Sequence, residues 1–136
     1  MEIAVVYWSG TGNTEAMAKA VAEAAGATLY TPDEFTPAKA AEVTKVAMGC
    51  PAMGAENLEE SEFQPMFEAC KASLKGKKAV LFGSFGWGDG EWMRTWEDDC
   101  RATGIELAAD SVICQDAPDD DVLKKCAALG ETLKNA

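Results

Sequence analysis

The stretch Trp8-Ser9-Gly10-Thr11-Gly12-Asn13-Thr14 carries the strongest structural signal in this chain. It overlaps the end of an apolar run, residues 3–8, whose β-branched and aromatic side chains are typical of a strand buried on both faces. Apolar residues at helical spacing follow it, namely Met17, Ala18, Val21, Ala24 and Ala25. The stretch is therefore predicted to be a loop that connects the carboxyl end of a buried strand to the first turn of a helix.

The composition of this loop indicates phosphate binding. Its three hydroxyls, one amide and two glycines can surround a phosphate with neutral donors, and the helix N-terminus adds a partial positive charge. A polar turn with a Ser or Thr cap is the simpler alternative. The Gly-Lys-Ser/Thr ending of a Walker loop is absent, and Glu15 stands where a dinucleotide fingerprint needs a glycine. The loop also lacks the cysteine and arginine of a low-molecular-weight phosphatase, and Lys19 is the first basic residue.

Length and charge limit the classes of function. A chain of 136 residues fits one domain, expected over residues 1–136, that buries roughly two thirds of its unfolded surface. The net charge of −11 argues against nucleic acid and against an anionic membrane surface as partners. No apolar run reaches transmembrane length, and Met1 leads into a strand without a basic, signal-like start. A cytoplasmic location is expected.

Cysteine and histidine usage narrows the chemistry. The five cysteines include no Cys-x-x-Cys pair, so iron–sulfur and zinc sites lack their usual ligand spacing, and no metal site is expected. Reduced, mostly buried thiols are expected instead. The chain has no histidine, and therefore lacks the commonest general base for hydrolysis or acyl transfer.

The rest of the chain alternates predicted strands and helices. Strands are expected at residues 27–31, 46–50 and 79–83, and within 106–114 with a bend near Ala109-Asp110. Helices are expected at 37–43, from Phe63 to Leu74, after a capping Asp89, and from 119–121 to Leu133. This alternation predicts an α/β fold with a parallel sheet covered on both faces. Loops 9–14, 51–56 and 84–90 should then emerge together at the carboxyl edge of the sheet, where such folds bind ligands.

Two apolar side chains in these loops are candidates for contact with a planar ligand. Trp87 lies between Gly86 and Gly88, where it cannot pack on the face of a regular element, so stacking on a ligand explains it better than a core position. Met53 by itself would more often fill a core, and only its loop position makes it a candidate. Trp92 and Trp96 are one helical turn apart and are expected in the core.

Four segments carry a resemblance to a known family. YWSGTGNTE (residues 7–15), GCPAMG (49–54), LEES (58–61) and FGSFGWG (82–88) resemble the short-chain flavodoxins of anaerobic bacteria. The resemblance covers essentially the whole chain, and there is no room for the insertion that splits strand five in the long-chain class. It implies a three-layer, doubly wound α/β fold with a five-stranded parallel sheet in the order 2-1-3-4-5.

The resemblance also implies a non-covalently bound flavin mononucleotide (FMN) and the residues that hold it. Side chains of Ser9, Thr11 and Thr14 would bind the phosphate, with the backbone of Gly10, Gly12 and Asn13. Ala52 and Ser84 would border the ribityl chain, with Gln115 nearby. Met53 would cover the inner ring face and Trp87 the outer face, Glu56 would accept from the flavin N3–H, and the backbone of Phe85, Gly86, Trp87 and Gly88 would meet the pyrimidine edge.

Three positions in these loops bear on the resemblance. The family often has tyrosine where this chain has Phe85, so a hydroxyl contact is lost there. It commonly has an acidic or hydroxyl residue where Ala55 stands. Pro51 follows the third strand and offers no backbone N–H to a ligand.

The resemblance also implies that the peptide after Gly54 would turn its carbonyl toward the flavin in a type II′ turn. This turn needs positive φ at its second residue, which glycine permits.

The function that the resemblance implies is electron transfer. The protein would shuttle electrons at low potential through the quinone, semiquinone and hydroquinone states of FMN, as a monomer with no substrate turnover of its own. The flavin would be flanked by an acidic rim, which would lower the second potential and steer the protein toward redox partners with basic patches, such as reductases and ferredoxin-dependent enzymes. The rim consists of Glu56, Glu59, Glu60, Glu62, Asp89 and Glu91.

Two other classes are compatible with an α/β chain. A quinone or nitro-compound reductase could share the fold, although 136 residues leave little material for a second substrate pocket. A signalling receiver would need an acidic cluster after the first strand and an aspartate after the third. The sequence has residues 9–14 and Cys50-Pro51 at those places, which argues strongly against a receiver.

Overall fold

The computed structural model describes residues 2–53 and 57–136, and the elements in these ranges alternate along the chain. The strands are β1 Ile3–Tyr7, β2 Thr28–Tyr30, β3 Lys45–Gly49, β4 Lys78–Phe85, β5 Glu106–Leu107 and β6 Val112–Gln115. The α-helices are α1 Asn13–Ala25, α2 Pro37–Glu42, α3 Phe63–Cys70, α4 Glu91–Thr103 and α5 Asp120–Asn135. Short 3-10 helices form at Pro32–Glu34 and Lys71–Leu74.

The strands form one parallel sheet in the order β2-β1-β3-β4-β5, which confirms the expected fold class and strand order. The fifth position is shared by two short strands. β5 pairs with the start of β4, at Lys78 and Ala79, while β6 pairs with its end, from Phe82 to Phe85. The bend expected near Ala109 is thus a complete interruption of the strand, and β6 extends one residue beyond the expected end.

Alternation along the strands divides the core into two layers. Ala4 and Val6 of β1 face one side, together with α3 and α4, whereas Val5 faces the other side, together with α1 and α5. Trp92 and Trp96 are buried in the first layer, as expected. Trp96 meets Phe63 and Phe67 of α3 edge to face, with ring centroids 5.4 and 6.0 Å apart.

The start of α4 differs from the expectation. Gly90, and not Asp89, occupies the N-cap position, with a left-handed φ of 91°. The Asp89 carboxylate instead forms an ion pair with Arg94, with 3.0 Å between Oδ1 and Nη2. Asp119 does cap α5, because its Oδ1 accepts the N–H of Val122 at 2.9 Å. No helix in the described parts of the chain is long and apolar enough to cross a membrane.

Candidate functional site

A cleft of about 350 Å³ opens at the carboxyl ends of β1, β3 and β4. The chain leaves β1 toward β2 on one side and returns as β3 on the other, so the cleft lies at the switch point of the sheet. Its volume falls within the range of small-molecule sites. The residues that line it are Trp8, Gly10, Thr11, Asn13, Pro51, Ala52, Met53, Ser84, Phe85, Gly86 and Asp116.

The first loop is folded by its own hydroxyl. Ser9 Oγ accepts the N–H of Gly12 at 3.0 Å, and Gly12 is the N-cap of α1 with a φ of 94°. A Cβ at Gly12 would meet nothing within 4 Å, so glycine is required there for its backbone conformation and not for space. The unpaired first-turn amides of α1 thus begin immediately after the loop, which gives this end of the cleft its partial positive charge.

A hydrogen bond between two hydroxyls joins the first loop to the third. Thr14 is only 1% exposed, and its Oγ1 lies 3.3 Å from Ser84 Oγ at the end of β4. This contact connects the first turn of α1 to the end of β4, where Ser84 lines the cleft. No Lys or Arg is among the described residues that line the cleft, so the hydroxyls and backbone amides are its donors.

The second loop is held to the third at its start. Ala52 N–H donates to Ser84 O at 3.0 Å, and Met53 and Asn57 exchange two backbone hydrogen bonds of 2.8 and 2.9 Å. Met53 is 38% exposed and lines the cleft. The predicted contacts of Gly54, Ala55 and Glu56, including the type II′ turn and the acceptor for the flavin N3–H, lie outside the described residues.

The third loop presents Trp87 to solvent. Its side chain is 63% exposed, the highest value among the exposed large hydrophobic residues of the described chain. Phe85 packs instead on Trp92, with ring centroids 5.5 Å apart. Gln115 Nε2 donates to Gly86 O at 3.4 Å and so supports this loop from β6. Nine of the described residues predicted for the site line the cleft, and six do not. The six are Ser9, Gly12, Thr14, Trp87, Gly88 and Gln115.

Sequence reasoning missed two lining residues, Trp8 and Asp116. Trp8 Nε1 donates to Glu62 Oε2 at 2.9 Å, and its ring lies 3.0 Å from the place a Cβ on Gly10 would take. Its position at the junction of strand and loop was the available signal. Asp116 has a φ of 59° and donates its N–H to Phe85 O at 2.8 Å, which continues the pairing of β6 with β4. It was missed because the strand was expected to end at Cys114.

One acid expected on the rim is buried. Glu59 is 5% exposed, and its carboxylate accepts hydrogen bonds from Ser61, Glu62 and Phe63. Burial alone would raise the pKa of Glu59, but these hydrogen bonds outweigh it and lower the pKa below its ordinary value. The neighbouring Cys50 thiol is also buried, which raises its pKa to about 12 and keeps it protonated.

Comparisons with known proteins agree with this geometry. The flavodoxin family model matches residues 5–130. The chain is 41% identical to a flavodoxin of Megasphaera elsdenii, over 98% of this chain and 99% of that protein. It is 39% identical to a flavodoxin of Clostridium beijerinckii, over 96% and 98%. The solution structure of two-electron reduced Megasphaera elsdenii flavodoxin superposes with a TM-score of 0.89 at 41% identity, covering 98% of this chain and 99% of the other.

Proposed function

This chain belongs to the flavodoxin family of FMN-binding electron-transfer proteins, and we propose that it carries electrons on one FMN held in the cleft. A single observation carries the assignment to this cleft. A loop of neutral hydroxyls and amides at the start of α1 lines the same cleft as the exposed Met53 of the second loop, and the third loop, which also lines the cleft, carries the exposed Trp87. The polar end of the site fits an anionic group, and the apolar end fits a planar apolar group.

The phosphate would be held by residues 9–14. Ser9 and Thr11 offer hydroxyl donors, and the first-turn amides of α1 add the positive end of the helix dipole. Thr14 would donate from the floor of the loop, next to Ser84. The backbone N–H groups of Gly10 and Asn13 complete the set. Because every donor is neutral, this end compensates the phosphate charge only partly and leaves the site with a negative field.

The ring would lie between the second and third loops. Met53 would cover its inner face and Trp87 its outer face, with Ala52, Ser84 and Gln115 along the ribityl chain. Pro51 cannot donate a backbone hydrogen bond to the ligand, since it has no N–H. Backbone groups of 85–88 would meet the polar ring edge, and the roles of Gly54, Ala55 and Glu56 remain part of the proposal. Bound FMN supplies one-electron chemistry, while the protein binds it and limits access to it.

The charges around the cleft would favour a low potential. Glu60, Glu62 and Asp116 are exposed carboxylates close to it in the chain or in space. At ~10 Å in a water-like dielectric, each carboxylate disfavours an added negative charge by roughly 0.4 kcal/mol. That is about 20 mV for a one-electron step. Asp89 contributes less than expected from sequence, because Arg94 neutralises it at 3.0 Å.

The acidic surface also defines the partners that we propose. With a net charge of −11, the protein would dock redox proteins through basic patches, such as reductases and ferredoxin-dependent enzymes. We propose that it acts as a single domain over 1–136, as a monomer in the cytoplasm, with no substrate turnover of its own. A steady-state assay with reduced nicotinamide and a quinone tests the last point, because measurable turnover would favour the reductase alternative.

The purified protein tests the assignment of the cofactor and its phosphate loop. We expect a yellow protein that releases FMN on denaturation, and an apoprotein that binds FMN far more tightly than riboflavin. The difference arises because residues 9–14 supply donors that need an anion. Titration of apoprotein by flavin fluorescence gives both dissociation constants. Equal affinities would contradict the phosphate assignment, and a failure to bind either flavin would contradict the proposed function.

A further inference from the structure

Glu59 is the one buried charged side chain among residues 2–53 and 57–136. It lies between the second loop of the cleft and helix α3, in a segment where its neighbour Glu60 is exposed. Burying a carboxylate is costly unless hydrogen bonds replace its water. The hydrogen bonds that stabilise the buried Glu59 carboxylate therefore indicate its structural role.

The carboxylate binds the free amides at the start of α3. Oε1 accepts the N–H groups of Glu62 at 2.7 Å and Phe63 at 2.8 Å, and Oε2 accepts the N–H of Ser61 at 2.9 Å and also the Ser61 hydroxyl. The N-cap residue of α3, Glu62, makes no side-chain cap of its own. Glu59 thus supplies the cap for this helix from three residues upstream, with charge-assisted bonds that are stronger than neutral ones.

The main chain of Glu59 closes the second loop. Its N–H donates to Cys50 Sγ at 3.3 Å. Cys50 is itself fixed, because its N–H donates to Phe82 O at 3.2 Å and its carbonyl accepts Trp92 Nε1 at 3.1 Å. Nearer the tip, Met53 and Asn57 pair through their backbones. Two contacts therefore close the loop: the backbone pair of Met53 and Asn57 nearer its tip, and the contact of Glu59 with Cys50 at its base. The second contact connects the loop to both α3 and the sheet.

We propose that Glu59 is a positioning residue for the flavin ring: its carboxylate fixes the start of α3, and through the Cys50 contact it sets where Ala52 and Met53 stand in the cleft. The proposal rests on the proposed function, because it takes Met53 as a ring contact. Glu59 itself does not line the cleft. Its influence would pass through the second loop and, because Trp8 Nε1 donates to Glu62 Oε2, through the Trp8 ring, whereas the turn at residues 9–12 of the phosphate loop is closed by Ser9 Oγ.

Glu59→Gln tests this with little change in volume. A glutamine oxygen can still accept, but its NH₂ group faces either the N–H and hydroxyl of Ser61 or the N–H groups of Glu62 and Phe63, so at least one bond is lost and the remaining ones are no longer charge-assisted. Glu60→Gln is the matched control, since it removes the same charge from an exposed adjacent side chain. The dissociation constants of each apoprotein for FMN and for riboflavin are measured by flavin fluorescence, well below the unfolding temperature. Glu59→Gln should raise both constants at least tenfold and by the same factor, while Glu60→Gln should change both less than twofold.

The comparison of two ligands separates positioning from mere stability. An unchanged FMN constant with a lower unfolding temperature would overturn the proposal, since Glu59 would then only stabilise the helix. A loss confined to FMN would overturn it as well, because the effect would act through the phosphate loop. If Glu59→Gln does not fold, Ser61→Ala removes one donor and keeps the carboxylate. It should raise both constants two- to fivefold, and no change would overturn the proposal. Wild-type protein that bound no flavin would contradict the proposed function instead.

Discussion

Trp87 is the residue whose role is most open to direct measurement. It is 63% exposed on a loop between two glycines, so its ring is available to cover a planar ligand. Trp87→Ala should weaken FMN binding by ~0.5–1.5 kcal/mol beyond the loss of buried area, the range for aromatic pairs. Fluorescence of the bound flavin should rise because a quencher is removed. Titration of the variant apoprotein, followed by emission at saturation, gives both quantities.

Trp92 serves as the comparison for Trp87. It is buried, and its Nε1 donates to Cys50 O at 3.1 Å. Trp92→Ala should therefore lower the free energy of unfolding by roughly 3–5 kcal/mol, the usual result for an aromatic residue removed from a core. If Trp92→Ala raised the flavin fluorescence and Trp87→Ala did not, the proposal that Trp87 covers the outer face of the flavin ring would be wrong.

The sequence alone predicted correctly whether some individual residues are buried or exposed, but not others. Trp87, Trp92 and Trp96 could be told apart, because glycine neighbours predict a loop and a spacing of four predicts one helix face. Glu59 and Glu60 could not, since they are adjacent acids in one polar segment. Which of them is buried depends on where α3 begins relative to the end of β3, and that is a tertiary relation.

Among the elements, the start of α1 allows a test of backbone conformation alone. Gly12 has a φ of 94°, and a Cβ there would touch nothing. Gly12→Ala should lower the free energy of unfolding of the apoprotein by roughly 1–2 kcal/mol, the cost of a left-handed residue with a Cβ. If the loop relaxes to avoid this strain, its phosphate donors move, so FMN binding should weaken more than riboflavin binding. Urea unfolding and flavin titration measure the two effects.

Gly86→Ala is the control for this element. Gly86 also belongs to a loop of the cleft, but its φ is not positive and the nearest atom to its Cβ would be Asp116 Oδ1 at 3.9 Å. The substitution should therefore leave the stability of the apoprotein nearly unchanged. Equal losses of stability in both variants would show that positive φ is not what makes Gly12 necessary.

Most helices and strands were predictable from the sequence because hydrophobic periodicity is a local property. The residues at which they begin and end were less predictable. The fifth strand was expected as one bent segment, whereas the structure interrupts it after Ala108, whose N–H still donates to Ala79 O. At Ser111 the hydroxyl donates to Glu97 of α4 at 2.6 Å, so the interruption is stabilised by a contact distant in sequence. No local pattern carries that information. Asp89 was expected to cap α4 and does not, because its carboxylate forms an ion pair with Arg94 instead.

The behaviour of the whole molecule at alkaline pH follows from its thiols. All five cysteines are free and buried. Burial raises the pKa of Cys50, Cys100 and Cys126 to about 12 and that of Cys70 to about 11. In the unfolded chain a cysteine titrates near ~8.5. The folded state therefore binds these protons more tightly, and stability must fall as the unfolded thiols ionise.

The sign and size of this fall can be stated and tested. Below about pH 7.5, a unit under the thiol pKa of the unfolded chain, both states are protonated and the thiols make stability independent of pH, whereas between about pH 9 and 11 the unfolded state holds fewer protons. Each thiol with a pKa of about 12 then lowers the free energy of unfolding by up to about 1.4 kcal/mol per pH unit. Cys100→Ala removes one of them, so its stability curve from pH 9 to 10.5, measured by urea unfolding with reductant, should be less steep than the wild-type curve by about that amount. The variant should be the less stable protein at pH 8, because it leaves a small cavity, and the gap should narrow as the pH rises. Parallel curves would mean that Cys100 ionises as readily in the folded protein as in the unfolded chain.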